Sequence, residues 1–232
     1  MAQPNQTSPL PLLLLLLSVT TGLVDAISVL GLGKVFTANM TGNVVFLGFA
    51  AVGTPGFRVA PYCVALAAFL TGALVAGRIG KAHAGRPLRR WLMAAASIET
   101  ILLWIAAVVA IGYDVTVQPS DPQMFGIIAL TALAMGFRNA TIRQLKVPDL
   151  TTTVLTLTLT GLAADSSAAG GGNPNWGRRI ASVVAIFFGA GVGAALVTHG
   201  GLVPPLLLAG ALILVGTIVC AFHPSAGEAH AA

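Results

Sequence analysis

Long apolar runs alternate along the chain with short breaks of polar residues, glycine and proline. A helix that crosses the hydrocarbon core of a bilayer needs about 20 mostly apolar residues. Six stretches meet this requirement: 9–31, 60–79, 90–113, 123–142, 179–198 and 202–222. The pattern predicts an all-α, polytopic membrane helix bundle with six full spans, and we expect residues 1–232 to form a single integral membrane domain.

Two further apolar stretches, residues 38–53 and 151–164, are too short to cross a bilayer in the usual way, and both begin with polar side chains. If both stretches are re-entrant, the chain has three spans on either side of its centre, in opposite orientations. If both cross, it has four and four, in the same orientation. Segment length favours three plus three, which places both termini in the cytoplasm.

Four features of the first half recur, in the same order, in the second half. Residues 22–26 (GLVDA) correspond to residues 136–140 (GFRNA), and Thr37 corresponds to Thr151 at the head of each short stretch. An arginine then opens the next span in both halves, and small residues lie near the end of that span. This order indicates two homologous halves, about 1–113 and 114–232.

Composition excludes a soluble protein, because 56% of the residues are hydrophobic and only 8% are charged. Soluble domains carry about 25% charged residues. The net charge of +5 does not indicate a nucleic-acid partner, because every Lys and Arg except Lys34 and Arg58 lies in three clusters at loops and segment ends. Such clusters orient membrane proteins with their basic loops inside. We therefore expect a bacterial inner-membrane protein surrounded by lipid.

Asp25 is the most informative residue because it lies deep within the first predicted span. An aspartate near the centre of a membrane helix costs about 2.5–3.5 kcal/mol on insertion scales, and such residues are often functional. Asp25 is therefore a candidate site for a proton or cation on a solute path. The alternative is a structural role, as a helix cap or in a buried ion pair with Arg138, whose neighbour Asn139 corresponds to Asp25.

Polar side chains also cluster at the heads of the two short stretches. The first carries Thr37, Asn39, Thr41 and Asn43, and the second carries Thr151 and Thr152. Interrupted hydrophobic segments at matching positions of two halves are where transporters build their sites. We predict a substrate-binding site from these residues with Asp25 and Asn139. The alternative is that the hydroxyls only bond to nearby carbonyls.

Other chemistry is not indicated. Glu99 is a second carboxylate within a span, and packing explains it as well as function does. The four histidines lie in loops, at segment ends or in the tail, so we expect no metal and no cofactor. No paired catalytic constellation is visible, so we expect no enzyme and name no catalytic residue.

The stretches GLVDAISVLGLGKVFTANMTGNVVFLG and RNATIRQLKVPDLTTTVLTLTLTGLAAD resemble the YoaK-like family of small bacterial membrane proteins. The resemblance covers residues 10 to 222 approximately, and it is most specific in "ANMTGN" and "VPDLTTT". It implies a six-span membrane fold. The family is grouped with transporters by topology, so the resemblance names no substrate.

These observations favour a permease-like transporter of a small polar or ionic solute. The alternative is a non-transporting membrane scaffold or accessory subunit whose polar residues hold the helices together. The sequence leaves open the identity of the solute, the coupling ion and whether copies of the chain form a homo-oligomer.

Overall fold

A computed structural model describes residues 9–83, 85, 87–118, 122–145 and 155–223 of the chain. The described residues form six long helices, which are α1 (Leu10–Gly31), α3 (Val59–Ala82), α4 (Leu88–Val109), α5 (Pro122–Leu145), α7 (Trp176–Gly200) and α8 (Val203–Ala221), and two short ones, which are α2 (Met40–Ala51) and α6 (Leu155–Ala164). The long helices are all long and apolar enough to span a bilayer. The predicted fold class, six spans with two short segments, is confirmed.

Proline and glycine mark several of the helix ends. α1 and α8 both carry proline in their first turn, where the missing N–H removes no helical hydrogen bond. Gly33 and Gly201 follow α1 and α7 with φ of 79° and 71°, a left-handed conformation that glycine adopts without steric cost. These glycines mark the turns that end α1 and α7.

Contacts between helices give their relative directions. α1 and α7 are parallel, because Val19 lies against Gly189 and Ala26 lies against Gly193. α8 is antiparallel to α1, since Gly216 contacts Leu16 near the start of α1.

The other three spans are oriented by the same reasoning. α4 is antiparallel to α8, because the Thr100 hydroxyl donates to the Gly210 carbonyl and Arg89 lies over the Phe222 ring. α5 is antiparallel to α4, because the Gln123 side chain donates to the Val109 carbonyl. α3 and α5 are parallel, with Arg58 against Met124 at their starts. These relations assign each end of each span to one of two membrane faces.

We call the face where α1 begins the proximal face and the opposite one the distal face. α1 ends at the distal face and α3 begins there, so α2 between them does not cross the bundle. α5 ends at the proximal face and α7 begins there, so α6 does not cross either. α2, with 12 residues, is about 18 Å long, well short of a hydrocarbon core of about 30 Å. The described helices therefore have the three-plus-three arrangement.

Four glycines bring pairs of spans into backbone contact. Gly22 on α1 lies against the Ile186 carbonyl of α7, and Gly189 on α7 lies against the Val19 carbonyl of α1. A Cβ at either glycine would collide with the facing carbonyl. Gly72 on α3 and Gly136 on α5 make the same reciprocal contact, against the carbonyls of Leu133 and Phe69. Small residues of this kind let membrane helices approach closely where no hydrophobic effect drives them together.

The cations are distributed unequally between the two faces. Lys34 and Arg58 lie at the distal face, beside Phe57 and Gly33 respectively. The described Arg and Lys residues of the loops and helix ends at the proximal face are Arg78, Lys81, Arg89, Arg90, Arg143, Arg178 and Arg179. Because basic loops stay in the cytoplasm, the proximal face is predicted to be cytoplasmic.

Topology is tested by labelling single cysteines in intact cells, in a background where Cys63 and Cys220 are changed to alanine. Cysteines at Lys34 and Arg58 should both react with an impermeant reagent added outside, whereas a cysteine at Arg89 should be protected. Opposite results at Lys34 and Arg58 would mean that α2 crosses the membrane and would overturn the three-plus-three arrangement.

Glycine packing is tested by adding one methyl group. Gly72→Ala and Gly189→Ala should each lower the free energy of unfolding by about 1–3 kcal/mol, because the Cβ collides with a backbone carbonyl. Gly77→Ala and Gly191→Ala are matched controls on the same two helices, with no atom near the new Cβ. Equal thermal stability of test and control variants in detergent would contradict the packing described here.

Candidate functional site

Asp25 lies about two thirds of the way along α1 and is partly exposed. Its Oδ1 accepts a hydrogen bond from the Ala38 backbone N–H at 3.4 Å. The loop that joins α1 to α2 is therefore folded back onto α1. As a result, the carboxylate of Asp25 lies at the head of α2, although the two are separated by more than ten residues in sequence.

Asn43 fixes the conformation of this loop. Its side-chain Nδ2 donates to the Phe36 carbonyl and its Oδ1 accepts from the Phe36 N–H at 2.9 Å. The side chain is fully buried. Asn43 therefore satisfies both backbone groups of a residue that lies outside any helix, as a buried loop requires.

Thr37 lies between the two loop residues that these hydrogen bonds hold, Phe36 and Ala38. Its side chain is fully buried, and its Oγ1 has no hydrogen-bond partner among the described residues. A buried hydroxyl without a partner loses about 1–3 kcal/mol of solvation. The same loop thus brings an unpaired hydroxyl and a carboxylate to the distal end of α1.

The other two predicted residues of this stretch point elsewhere. Asn39 precedes α2 at its N-cap position and makes no capping hydrogen bond with its side chain. Both Asn39 and Thr41 are exposed. The structure therefore divides the predicted cluster into an inner group of Asp25, Thr37 and Asn43 and an outer pair.

In the second half, the structure describes one of the three predicted residues. Asn139 is partly buried, and its Nδ2 donates to the Met135 carbonyl one turn earlier in α5, at 2.8 Å. Thr151 and Thr152 lie outside the described residues. Asn139 thus bonds within its own helix, whereas Asp25 bonds to a loop.

Arg138 makes the ion pair that the sequence left unassigned. Its guanidinium Nη2 contacts the Glu99 carboxylate, and both side chains are almost completely buried. Arg138 Nη1 also donates to the Leu17 carbonyl and to Thr21 Oγ1 of α1, each at 3.2 Å. The alternative in which Arg138 pairs with Asp25 is therefore wrong: α4 packs directly against α5 and brings Glu99 to it.

Sequence reasoning found Glu99 but not its partner. Arg138 and Glu99 are 39 positions apart on two helices, and only the packing of α4 on α5 shows that they meet. The sequence nevertheless contained a signal for this pairing. A buried arginine in a membrane span requires an anion, and Glu99 is the other carboxylate within a predicted span besides Asp25.

Hydroxyls on α1 connect the ion pair to Asp25. Thr21 and Asp25 are four residues apart, so they lie on one face of the helix, separated by about 6 Å along its axis. Thr21 Oγ1 donates to the Leu17 carbonyl at 2.9 Å while it accepts from Arg138. Ser18 and Ser28 are also fully buried on α1. A polar track therefore runs from the Glu99–Arg138 pair to Asp25 and the loop at the head of α2.

A cavity of about 30 Å³ adjoins the ion pair. Its wall includes Leu92, Leu145 and Thr217, which lie toward the proximal ends of α4, α5 and α8, and Glu99 and Arg138 form its inner end. This volume is large enough for a water molecule. We call it the proximal crevice. Among the described residues, no three His, Cys, Asp or Glu side chains are grouped so that they could hold a metal ion.

A double-mutant cycle tests the pair. Glu99→Gln should lower the free energy of unfolding by about 3–5 kcal/mol, because it leaves a buried guanidinium without its counter-charge. Much of this loss should return in Glu99→Gln with Arg138→Met. The comparison cycle combines Asp25→Asn with Arg138→Met. Its coupling should be weaker, because Arg138 acts on Asp25 electrostatically but makes its direct ion pair with Glu99. Stronger coupling of Arg138 to Asp25 than to Glu99, measured by thermal unfolding in detergent, would contradict the observed pairing.

Comparison with known proteins identifies the family of the chain. A family model described as "Protein of unknown function (DUF1275)" matches residues 13–219. The "UPF0700 transmembrane protein YoaK" of Bacillus subtilis (strain 168) is 35% identical over 159 residues, which cover 67% of this chain and 66% of that protein, just under two thirds of its length. No solved structure shows a significant match. The chain is therefore a multi-pass bacterial membrane protein that belongs to the DUF1275 family of proteins of unknown function.

Proposed function

We propose that this protein is a small permease-like transporter of a polar or ionic solute. The observation that carries the proposal is the buried, unpartnered hydroxyl of Thr37, in the loop at the head of a short helix, next in sequence to Ala38, whose N–H donates to the Asp25 carboxylate. Polar groups at such a position cost stability, and transporters place their solute sites where hydrophobic segments are interrupted. Asp25 binds a proton or cation in this proposal, and Thr37 contacts the solute.

The proposal includes an internal repeat of inverted orientation, with halves of about 1–113 and 114–232. The reciprocal glycine contacts support it. Gly22 and Gly136 correspond in sequence, and each packs on the carbonyl of a residue three positions before a glycine, Gly189 in one case and Gly72 in the other. If each half is superimposed on the other by this correspondence, the α1–α7 pair therefore maps onto the α5–α3 pair. Inverted repeats of this kind underlie many secondary transporters.

The short helices lie at opposite ends of the bundle. Phe46 of α2 packs against Phe57 and Tyr62, at the distal start of α3. α6 lies at the proximal face, where Gly161 contacts Arg179 and the following Asp165 accepts from Arg179 at 2.7 Å. In an alternating-access cycle, each short helix would border the solute path from its own face, with the polar track on α1 between them.

A non-transporting scaffold is the second candidate, and Asn43 favours it. This side chain is used entirely to hold its own loop, and the Glu99–Arg138 pair ties three helices together. In this alternative the polar residues only stabilise the bundle, and its contacts are with lipid or with other copies of the chain. We propose no catalytic role and no cofactor in either case.

Ligand-induced stabilisation separates the two candidates. The purified protein should be stabilised by a member of a broad panel of small metabolites and ions, by about 2.7 kcal/mol at a hundredfold excess over Kd. Asp25→Asn and Thr37→Val should abolish this effect while the protein still folds. Thr41→Val, an exposed neighbour, is the matched control and should keep it. The scaffold would be favoured if no solute stabilised the wild-type protein and the only effect of Asp25→Asn and Thr37→Val were a lower thermal stability.

A further inference from the structure

The Glu99–Arg138 pair lies where a solute from the proximal face would arrive. Side chains that line the proximal crevice run from near the proximal ends of the helices to these two charged groups. Arg138 is 2% exposed and Glu99 is 4% exposed. An aqueous ligand that enters the crevice therefore meets an arginine at its inner end, in surroundings that are otherwise apolar apart from the hydroxyls of Thr141 and Thr217.

Hydrogen-bonding capacity remains at this arginine. Nη1 is used by Leu17 and Thr21, whereas Nε makes no hydrogen bond to any described residue. The edge of a guanidinium that carries Nε and Nη2 matches the two oxygens of a carboxylate. Glu99 meets this edge with one oxygen, at Nη2. The site is thus built for a carboxylate and is only partly filled by the one that the protein supplies.

We infer that Arg138 is the binding site for a small carboxylate anion, for which Glu99 is an internal competitor. When Glu99 takes up a proton, it loses its negative charge and Arg138 requires another anion, because a buried charge must be paired. A carboxylate that enters from the proximal crevice supplies that charge. When the anion leaves, Glu99 returns its proton and pairs with Arg138 again.

This inference rests on the proposed transport function and deepens it, because it gives the solute a charge and a coupled proton. One proton on Glu99 and one anion on Arg138 enter and leave together, so the site stays neutral in both states. No step leaves a lone charge in the bundle. The neighbouring helices add no charge among the residues that line the crevice: α1 contributes Leu13 and Leu17, and α8 contributes Ile213 and Thr217. Asp25 is one turn beyond Thr21 on the polar track.

Sodium formate, the smallest carboxylate, is the probe, with sodium chloride at equal ionic strength as its reference. Glu99→Gln imitates the protonated state, so formate should raise the Tm of the full-length variant in detergent by about 5 °C or more over chloride. The wild type should respond at acidic pH and lose the response at neutral pH. Glu99→Gln should respond at both pH values, and Glu99→Gln with Arg138→Met should respond at neither.

Asp165→Asn is the matched control, because it removes the carboxylate from a different arginine pair, Arg179–Asp165, at the proximal face. Formate should not raise its Tm above the chloride value at neutral pH. If formate raised the Tm of Asp165→Asn and Glu99→Gln equally, the effect would be general anion binding, and the inference would be overturned. If Glu99→Gln does not fold, the wild-type pH series decides: a formate response that is absent at acidic pH, or that persists at neutral pH, overturns it.

The two proposals fail separately. If a neutral or cationic solute stabilises the protein through Asp25 and Thr37 while formate has no effect, the transport proposal stands and the anion site is lost. If formate stabilises through Arg138 but Asp25→Asn and Thr37→Val leave all ligand effects unchanged, the anion site stands and the proposed solute site at the head of α2 is lost.

Discussion

The bundle depends on the close approach of helix backbones at four glycines. Inside a bilayer, lipid tails are as apolar as leucine, so helices gain little by burying apolar side chains against each other. Contact between α1 and α7, and between α3 and α5, is made at Gly22, Gly189, Gly72 and Gly136, where the missing Cβ lets a carbonyl of the partner helix sit against the backbone. These two helix pairs contain four of the six spans, and the remaining spans, α4 and α8, pack against each other and against α5 and α1.

A second constraint is that a charged side chain inside the bundle must be paired. The cost of a lone guanidinium in a membrane span is large, and the structure offsets it with Glu99 of α4 and with a carbonyl and a hydroxyl of α1. Removal of either charge leaves the other unpaired. The pair therefore holds α4, α5 and α1 in a fixed relation, and it can change its state only if another proton or another anion takes part.

Most of the fold could be predicted from the sequence because span length is a physical requirement of the bilayer. The six long helices follow from apolar runs, and the failure of α2 and α6 to cross follows from their length. The pairing of α1 with α7 could not be predicted in the same way. It depends on which faces of two helices meet, and all six spans are apolar on most sides, so periodicity carries little information about partners.

The candidate site was predictable only in part, for a related reason. A carboxylate such as Asp25 stands out against an apolar run, so it can be singled out as a candidate without a structure. Whether Thr37 is buried while Thr41 is exposed depends on how one loop folds back onto α1, which the side chain of Asn43 decides through two hydrogen bonds. The ion pair of Arg138 was assigned to Asp25 as an alternative because sequence correspondence placed Asn139 opposite Asp25, yet the partner came from a third helix.

The two halves carry their charged side chains at different positions of the bundle. Gly22 and Gly136 occupy corresponding positions and pack alike, but two residues later the first half carries Val24 and the second carries Arg138. At the next position, Asp25 of the first half corresponds to Asn139 of the second. A symmetric packing scheme thus supports an unsymmetric set of polar groups, a carboxylate toward the distal face and an ion pair toward the proximal one. In the proposed transport cycle, the two ends of the polar track would present different chemistry to the two sides of the membrane: the Asp25 carboxylate lies nearer the distal side, and the Glu99–Arg138 pair lies nearer the proximal side.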